Sequence, residues 1–240
     1  MKVHLVSYTG QGFDDPALAA AKLLVLTKKT RLANAAEEIE EMAEQEIMDE
    51  LAYMARTIPS SWEFLDVHFL VEGISRACAQ QITRTRTGSY AMLSQRVTDA
   101  SEMPVVNPHD DDESKRWRFA LAVADVKAHY VSMINSGVSP QDARGIMPIN
   151  TACNIHCKYN FRSFCDLVRA RSSNRTQSEY ADVITKMKSR VEAMWPWAPM
   201  FWQSKNDEAI SMLQGLIDEH GMETGKGLGW DLAKIQDLIR

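Results

Sequence analysis

One polar segment, residues 81–96, constrains this chain more than any other feature of its sequence. The segment (QITRTRTGSYAMLSQR) follows directly on an apolar stretch and contains Arg84, Arg86 and Arg96. Guanidinium groups make bidentate, charge-assisted contacts with phosphate, and neighbouring hydroxyls and backbone N–H groups can complete the donor shell around an anion. An isolated Arg-x-Arg pattern is usually a solvated turn, so this segment indicates an anion site only if other residues support it.

Supporting residues occur in a second block, residues 143–177. It contains Ala-Arg at 143–144, Met-Pro at 147–148, the run Asn-Phe-Arg-Ser at 160–163, Arg171 and Gln177. The two blocks together, in this order and spacing, resemble the flavin-dependent thymidylate synthase family. In the first block the family's signature falls without a gap on Arg84, Arg86, Ser89, Ser94 and Arg96. The lead-in at 71–81 and the opening at 1–9 and 19–23 are also similar, so the resemblance covers about residues 1–185.

The resemblance implies a fold, an assembly and an activity. The expected fold is α/β (α+β), with a central, mostly antiparallel sheet and long helices. The expected assembly is a homotetramer that holds FAD across its subunit interfaces. Members of the family convert dUMP to dTMP, with methylenetetrahydrofolate as the one-carbon donor and NADPH as the reductant. The expected partner is therefore a pyrimidine nucleoside monophosphate.

The resemblance also assigns roles to individual residues. Arg171 is expected to be catalytic, because an arginine beside the base stabilises negative charge as N3 ionises, and such a contact strengthens in the transition state. The expected substrate-binding residues are Gln81, Arg84, Met92, Leu93, Ser94, Gln95, Arg96, Arg144 and Arg171. The expected cofactor-binding residues are Arg84, Thr85, Arg86, Met92, Asn160, Phe161, Arg162 and Asp166.

Several positions depart from the family's pattern, and they fall within the expected site. Histidines are usual where this chain has Phe64, Thr85 and Arg175, a tyrosine where it has Val97, and often a glutamate where it has Met92. Three imidazoles are thus missing, which predicts altered flavin potential and proton routing. An impaired homologue that only binds flavin or nucleotide is therefore an alternative to the enzyme.

Asp166 stands where asparagine is common, and this change bears on the substrate. Asparagine both donates and accepts, which suits a uracil edge, whereas a carboxylate accepts from an exocyclic amine. If Asp166 reaches the base, a C5 methylase or hydroxymethylase acting on dCMP, UMP or dUMP becomes the alternative. If Asp166 instead faces flavin or an arginine, base choice is unaffected.

Composition favours an enzyme over a nucleic-acid-binding protein. The chain has 240 residues and a net charge of −5, so a general surface for a nucleic-acid polymer is not expected. No apolar run is long enough to span a bilayer and no signal pattern is present, so the predicted compartment is the cytoplasm, or host cytoplasm if the source is viral. We expect a synthase-like domain at 1–190 and, at 191–240, a C-terminal aromatic and helical extension packed on it.

The four cysteines are expected to be structural. Around Cys153 and Cys157 a strand would place Cys153, Ile155, Cys157 and Tyr159 on one face, which explains the spacing without a metal. A structural zinc site would need a second pair of ligands, which is missing from the sequence pattern. Cys78 and Cys165 are interpreted as small buried hydrophobic residues.

Hydrophobic periodicity, together with the positions of glycine and proline, predicts the helices and strands. Strands are expected at 2–7 and 64–71, and helices from Asp15-Pro16, at 34–56, 74–82, 115–136 (ended by Gly137), after Ser139-Pro140, and at 161–188 with an interruption at 172–174. Residues 104–112 are expected to form a loop.

The segment 194–202 (MWPWAPMFW) concentrates three tryptophans. It is either a stacking platform for a base or pterin or an aromatic cover on the core or an interface, and we favour the cover. A helix is expected at 207–220, and the glycines of 221–229 do not form a phosphate loop.

Overall fold

The computed structural model describes residues 1–96, 98–109, 111–171 and 176–203. Its strands are β1 (Lys2–Tyr8), β2 (Asp66–Ser75), β3 (Ser89–Met92) and β4 (Ala152–Asn160). Its α-helices are α1 (Pro16–Lys29), α2 (Ala35–Glu41), α3 (Glu44–Thr57), α4 (Arg76–Ile82), α5 (Glu113–Asn135), α6 (Pro140–Ala143), α7 (Phe161–Arg171), α8 (Ser178–Met194) and α9 (Pro199–Trp202). Two 3-10 turns span Pro59–Phe64 and Arg144–Ile146.

The four strands form one sheet in the order β1-β2-β4-β3, and each neighbouring pair is antiparallel. This confirms the predicted mixed fold with an antiparallel sheet. Side chains alternate along β4 as expected, because successive residues of a strand point to opposite faces. The residues of β4 on the inner face are all buried: Cys153, Ile155, Cys157 and Tyr159.

Among the described residues, helices cover the inner face of the sheet and leave the other face open. Phe69 of β2 stacks on Phe164 of α7 with ring centroids 5.5 Å apart, so α7 lies directly against the strands. The other face remains polar and accessible, with Asn154 and His156 exposed on it. Burying one face of each strand provides most of the driving force for this packing, at about 25 cal/mol per Å² of apolar surface.

The tryptophan-rich segment belongs to the same core, as we favoured over a stacking platform. Trp195 and Trp197 stack 5.4 Å apart, and Phe161 meets Trp195 edge-on at 5.4 Å. Trp197 also donates to the carbonyl of Ala17 at 3.0 Å, which ties this segment to α1. The division into domains at residue 190 stays a prediction, and the elements expected at 207–220 and 221–229 lie outside the described residues.

The single helix predicted at 34–56 is wrong. The chain is extended at Ala43 (φ −65°, ψ 149°), so α2 ends before it and α3 begins after it. The Glu46 carboxylate accepts a hydrogen bond from the Ala43 N–H at 3.1 Å, which satisfies one of the free donors at the start of α3. No glycine or proline occurs at this break, and the helical spacing of apolar residues continues across it. The sequence pattern therefore predicts one helix where the structure has two.

Other predicted helix ends are confirmed. Asp15 accepts from the Leu18 N–H at 2.9 Å and caps α1. Gly137, with φ +89°, follows the end of α5 in a conformation that glycine adopts without strain. The helical stretch predicted at 161–188 is present as α7 and α8, and the residues between them that carry the predicted interruption, 172–174, lie outside the described residues.

A second, smaller core lies beside the sheet. Tyr130 of α5 packs with Ala100, Met103 and Ala143, and four partly buried residues surround them: Met133, Ile134, Val138 and Met147. The backbone of Ala152 donates to the carbonyl of Pro104 at 2.8 Å, so this core is attached to the start of β4. In the part of the chain that the structure describes, no helix is long and apolar enough to cross a bilayer.

Candidate functional site

The arginine motif lies between the end of α4 and β3. Ser75 begins α4 by accepting from the Cys78 N–H at 3.0 Å, and the Glu179 carboxylate of α8 accepts from the Ser75 hydroxyl at 2.5 Å and from its N–H at 2.8 Å. At the other end, Leu93 continues the β3–β4 pairing by donating to the carbonyl of Asn154 at 3.0 Å. Both ends of the motif are therefore anchored, and the loop between them is held at the β3 edge of the sheet.

The side chains of the first two arginines of the motif form no hydrogen bond or ion pair with the described residues. Arg84 and Arg86 are exposed, and within the described ranges neither guanidinium has a hydrogen-bond or ion-pair partner. Surface arginines without a carboxylate partner keep their full set of N–H donors for a ligand. Both residues can therefore bind an anion without first breaking an internal contact.

Three of the predicted substrate-binding residues, which the resemblance assigns to the substrate phosphate, lie close to Gln141. Arg96 donates through Nε to Gln141 Oε1 at 3.0 Å, and Arg144 donates through Nε to the Gln141 carbonyl at 3.1 Å. Ser94 Oγ accepts from the Arg96 N–H at 3.2 Å. Because each arginine uses only Nε for these contacts, its terminal nitrogens remain available for an anion.

Gln95 adds an unusual group to this cluster. Its side chain is 7% exposed, and its Nε2 is buried without a hydrogen-bond partner among the described residues. A buried amide that lacks a partner is costly, by about 1–3 kcal/mol, and calls for a ligand or an ordered water. Four of the predicted phosphate ligands, Ser94, Gln95, Arg96 and Arg144, thus have free donor capacity.

Sequence reasoning missed Gln141. Its position three residues before Arg144, in the Ser-Pro-Gln-Asp run that starts α6, was available as a signal. That run predicts a helix start, and the Ser139 hydroxyl donates to the Asp142 carboxylate at 2.7 Å. The bond to Arg96 joins residues 45 positions apart, which no local pattern could predict.

Arg171 lies at the end of α7 against Tyr180, which has Tyr90 and Tyr159 as electrostatic neighbours. Its guanidinium lies over the ring of Tyr180 at 5.5 Å, and its Nε is buried with no hydrogen-bond partner in the described ranges. Tyr90 meets Tyr159 edge-on at 5.9 Å and donates its hydroxyl proton to the Thr85 carbonyl at 2.5 Å. The predicted catalytic arginine is therefore held by an aromatic face, with its polar edge uncommitted.

Burial keeps these phenols neutral. It raises the pKa of Tyr159, and it raises the pKa of Tyr180 in spite of Thr85 and Arg171, which act in the opposite direction. Burial likewise raises the pKa of Tyr90. The hydroxyls of Tyr159 and Tyr180 have no partner in hydrogen-bonding geometry among the described residues.

Gly88 is required by this tyrosine packing. A Cβ built on Gly88 would lie 2.7 Å from Cε1 of Tyr159, closer than side-chain carbons approach, and would also clash with the Tyr90 hydroxyl. The glycine between the arginines and β3 thus serves close packing, since it lets the motif backbone lie directly against the aromatic rings.

The predicted flavin residues at the start of α7 already have partners in the protomer. Asn160 accepts from the Ser163 N–H at 2.8 Å and so caps α7, and Arg162 bonds Glu63 at 2.7 Å. Phe161 is fully buried in the aromatic core, so its side chain has no surface for a flavin. Phe161 can therefore contact a flavin only through its backbone. To bind a flavin, Arg162 must release Glu63 or use the guanidinium nitrogens that Glu63 does not contact.

Asp166 has the arginine partner that the sequence left as one alternative. Its Oδ1 lies 3.2 Å from Nη1 of Arg169, and its side chain is 62% exposed. Arg169 also bonds the carbonyl of Phe201 and lies 5.4 Å from the Trp62 ring, so it is well fixed. Within the protomer, Asp166 therefore binds an arginine at the surface of α7.

The remaining predicted residues line the surface beside the motif. Met92 and Leu93 expose 37% and 36% of their surface, and the Leu93 carbonyl accepts from Arg76 at 3.2 Å. Gln81 on α4 and Thr85 are half-buried. Phe64, at one of the positions where a histidine was expected, is 61% exposed, whereas Val97 and Arg175 lie outside the described residues.

All four cysteines are buried and free, as expected for structural residues. Burial raises the pKa of Cys78 and of Cys157 to about 12, and it also raises the pKa of Cys153 and Cys165. Each of them is a neutral thiol near pH 7 and a poor nucleophile. Among the described residues there is no group of three or more metal-binding side chains.

The most prominent cavity among the described residues lies away from the predicted site. This cavity of about 620 Å³ lies between α1 and α2, where Phe13, Lys22 and Ile39 contribute to its lining. None of the predicted site residues borders it. The chemistry of the arginine cluster, rather than cavity size, identifies the candidate site as an open surface at the β3 edge.

The chain belongs to the thymidylate synthase complementing protein family, whose model matches residues 4–197. Among relatives, it is 28% identical to a flavin-dependent thymidylate synthase of Geobacter sulfurreducens over 249 aligned positions, which cover 100% of this chain and 98% of the relative. It is 27% identical over 202 residues to the flavin-dependent thymidylate synthase of Sulfurisphaera tokodaii, covering 82% and 75%. The predicted family and enzyme class, a flavin-dependent thymidylate synthase-like methyltransferase, are confirmed.

A solved structure has the same fold. The UMP/dUMP methylase PolB from Streptomyces cacaoi, bound with 5-Br dUMP, superposes with a TM-score of 0.64 at 19% identity. The match covers 83% of this chain and 94% of that one. At this identity the likeness establishes the shared fold alone.

Proposed function

We propose that this protein is an FAD-dependent enzyme that transfers a one-carbon unit to C5 of a pyrimidine nucleoside monophosphate, converting dUMP to dTMP. Methylenetetrahydrofolate is the proposed carbon donor and NADPH the proposed reductant. The observation that carries the proposal is the junction of Arg96 and Arg144 at Gln141, together with the unpartnered amide of Gln95, the residue before Arg96. This arrangement has the donors and the positive charge that a nucleotide phosphate requires.

In the proposed complex the phosphate lies against Arg96 and Arg144. Gln141 fixes Nε of Arg96 and Nε of Arg144, so the terminal nitrogens need little reorganisation to bind phosphate oxygens. Ser94 Oγ and the buried Gln95 amide supply neutral donors. Charge-assisted bonds of this kind contribute about 1.5–3 kcal/mol each.

Arg171 acts on the base. Its guanidinium rests on Tyr180 while Nε stays unpartnered, and it therefore has donors to direct at negative charge on the pyrimidine. A donor fixed before the reaction stabilises charge that develops in the transition state without reorganising at that moment. Arg171 thus lowers the barrier by binding the ionised base more strongly than the neutral one.

The residues present fit a flavin with a diphosphate. Arg84 and Arg86 have free guanidinium groups for the diphosphate, and Met92 presents an apolar side chain beside them. Bound flavin would supply the hydride that reduces the one-carbon unit. The four buried thiols, kept neutral by their raised pKa values, take no part as nucleophiles.

We further propose that the site is completed in a homotetramer. The residues that carry it are spread over an open surface of the protomer, and a small ligand normally loses 70–90% of its surface to a binding site. A neighbouring subunit would supply the missing walls. FAD would then lie between subunits.

The substrate is tested by product analysis with dUMP, UMP and dCMP. UMP is included because the structural neighbour acts on UMP and dUMP, and dCMP because of Asp166. Since Asp166 pairs with Arg169 at the surface, we expect dUMP to be preferred and Asp166→Asn to leave the dCMP-to-dUMP ratio unchanged. A tenfold shift of that ratio toward dUMP in Asp166→Asn would instead assign this carboxylate to the base edge.

The cofactor is tested by the visible absorption spectrum of the purified protein with and without added FAD. We expect a flavin band that Arg84→Ala/Arg86→Ala weakens, with Arg190→Ala on α8 as the matched arginine control, since Arg190 is exposed and lies outside the candidate site. Failure to bind FAD, together with no methylated product, would refute the proposed function. Flavin binding without product would identify the impaired homologue.

A further inference from the structure

Helix α5 is apolar on two opposite sides. One stripe, made of Phe119, Val123, Val126, Tyr130 and Met133, is at least partly buried. The other stripe, made of Trp117, Leu121, Ala124, Ala128 and Val131, is exposed along its whole length. The stripes are two residues out of phase, which is about 200° around a helix, so they lie on opposite sides. The inner stripe reaches the second core through Tyr130 and Met133, and the outer stripe is exposed in the part of the chain that the structure describes.

The outer stripe has the spacing of a coiled-coil seam. Its members alternate steps of four and three residues, which is the pattern of a and d positions in heptads. Trp117 is 63% exposed, Leu121 47% and Val131 41%. Contiguous apolar surface of this kind on a folded protein marks an interaction site.

We infer that the outer stripe of α5 pairs antiparallel with α5 of a second copy of this chain. A two-fold axis places the same stripe on both helices, so one self-complementary face suffices for the contact. Four residues of the stripe are complementary in size under such a two-fold axis, because Trp117 and Leu121 precede Ala124 and Ala128 along the helix. In the antiparallel register that sets Leu121 opposite the partner's Ala124, Trp117 lies opposite the partner's Ala128.

Charge favours this same register. Arg118 and Asp125 flank the seam on one side, and in antiparallel pairs such flanking positions of the two helices face each other. The register above brings Arg118 beside the partner's Asp125, twice by symmetry. A parallel pair would instead bring together the basic ends of both helices, where Lys115, Arg116 and Arg118 lie. Antiparallel pairing sets those cations near the partner's negative helix end.

The pairing has a consequence for the candidate site, and this step rests on the proposed function. The inner side of α5 supports the second core through Tyr130, and that core contains Ala143, next to Arg144. A partner that fixes α5 therefore fixes the element that carries Gln141 and Arg144. Loss of the pairing should raise KM for the nucleotide. Sedimentation and cross-linking measure the pairing itself, so their results do not depend on the proposed activity.

The first test is Leu121→Arg in the full chain, measured by sedimentation velocity. A buried unpaired charge at the centre of the seam should convert the native assembly to a species of half its size. Ala122→Arg is the matched control, since Ala122 is also exposed but lies off the stripe. An assembly of native size in Leu121→Arg, with native circular dichroism, would overturn the proposal.

Charge reversal tests the register with variants that keep the surface polar. Arg118→Asp and Asp125→Arg each place like charges together, so each should weaken assembly at low salt, shifting its dissociation constant several-fold. The double variant Arg118→Asp/Asp125→Arg restores opposite charges and should restore assembly. A double variant no stronger than the single ones would overturn this register.

Cross-linking tests the direction. Leu121→Cys/Ala124→Cys should form a covalent dimer under mild oxidation, with little background because the native cysteines are all buried. Leu121→Cys alone should not cross-link in an antiparallel pair. Rapid cross-linking of that single variant would show parallel pairing and refute the inference.

Discussion

At the scale of single residues, the candidate site depends on donors that the protomer leaves unsatisfied. Nε of Arg171 and Nε2 of Gln95 are buried without partners among the described residues. A folded protein rarely leaves such groups unpaired, so each of them calls for a ligand or an ordered water. The tyrosines around Arg171 provide shape and orientation, since burial keeps them neutral.

Arg171→Ala should reduce turnover far more than flavin content. Its proposed role is to stabilise charge on the base, and removal of one such donor raises a barrier by about 2–4 kcal/mol. Arg171→Lys should recover little, because an ammonium group cannot reproduce the planar fork. The measurements are kcat and the flavin absorbance of the same samples, and near-normal single-turnover product formation by Arg171→Ala would contradict the assignment.

Tyr180 offers a matched pair of substitutions. Tyr180→Phe keeps the ring beneath Arg171 and removes a hydroxyl without a partner, so activity should stay close to wild type. Tyr180→Leu removes the cation–π contact, about 0.5–2 kcal/mol, and should lower kcat roughly two- to thirtyfold. If Tyr180→Phe lowers kcat as much as Tyr180→Leu does, the hydroxyl of Tyr180 rather than its ring positions Arg171.

At the scale of elements, α6 brings the two arginine blocks together. This four-residue helix is short, yet its Gln141 bonds Arg96 from the first block and Arg144 from the second. The antiparallel sheet contributes in the same way, because the β3–β4 pairing sets the first block beside the strand that leads into α7.

Gln141→Ala should raise KM for the nucleotide while kcat changes little. Two freed guanidinium groups must then be reordered on binding, at a cost of about 1–2 kcal/mol, or roughly five- to thirtyfold in affinity. Gln141→Glu should be worse, because its carboxylate would compete with phosphate for Arg96. Ser139→Ala is the control, since Ser139 bonds Asp142 and neither arginine. Equal KM values for Gln141→Ala and wild type would contradict the role of Gln141.

The pairing of β2 with β4 predicts a dependence of stability on pH. Burial, His156 and Lys158 lower the pKa of His68 below its ordinary 6.5, in spite of Asp66. As pH falls through 6.5 toward the folded-state pKa, the unfolded chain therefore binds more protons and the free energy of unfolding decreases. Urea titrations between pH 7 and 5 should show this decrease, and His68→Gln should flatten it. A wild-type profile that rises toward pH 5 would contradict this sign.

At the scale of the whole molecule, assembly and cofactor binding should be coupled. The site residues lie open on one protomer, and the outer stripe of α5 is exposed. We expect the native protein to sediment as four copies and to lose FAD as it dissociates on dilution. Sedimentation with detection in the flavin band measures both properties together. A monomer with full flavin occupancy would contradict this coupling.

Sequence alone predicted much of the fold and named the residues of the candidate site. The alternation of β4, the capped start of α1 and the glycine end of α5 depend on neighbours two to four residues apart, so local patterns carry them. The arginine blocks were equally visible, because their spacing is a property of the chain. The break at Ala43 was not visible, since a glutamate side chain three residues away replaces the usual glycine or proline.

The tertiary structure alone decided the contacts between residues that are distant along the chain. Gln141 meets Arg96 across 45 positions, and Arg171 meets Tyr180 across a segment between two helices. Phe161 belongs to a flavin motif by sequence, yet it is buried among tryptophans from residues 195–202. Composition and periodicity fix which side chains prefer burial, but the packing of helices on the sheet selects the partners each one meets.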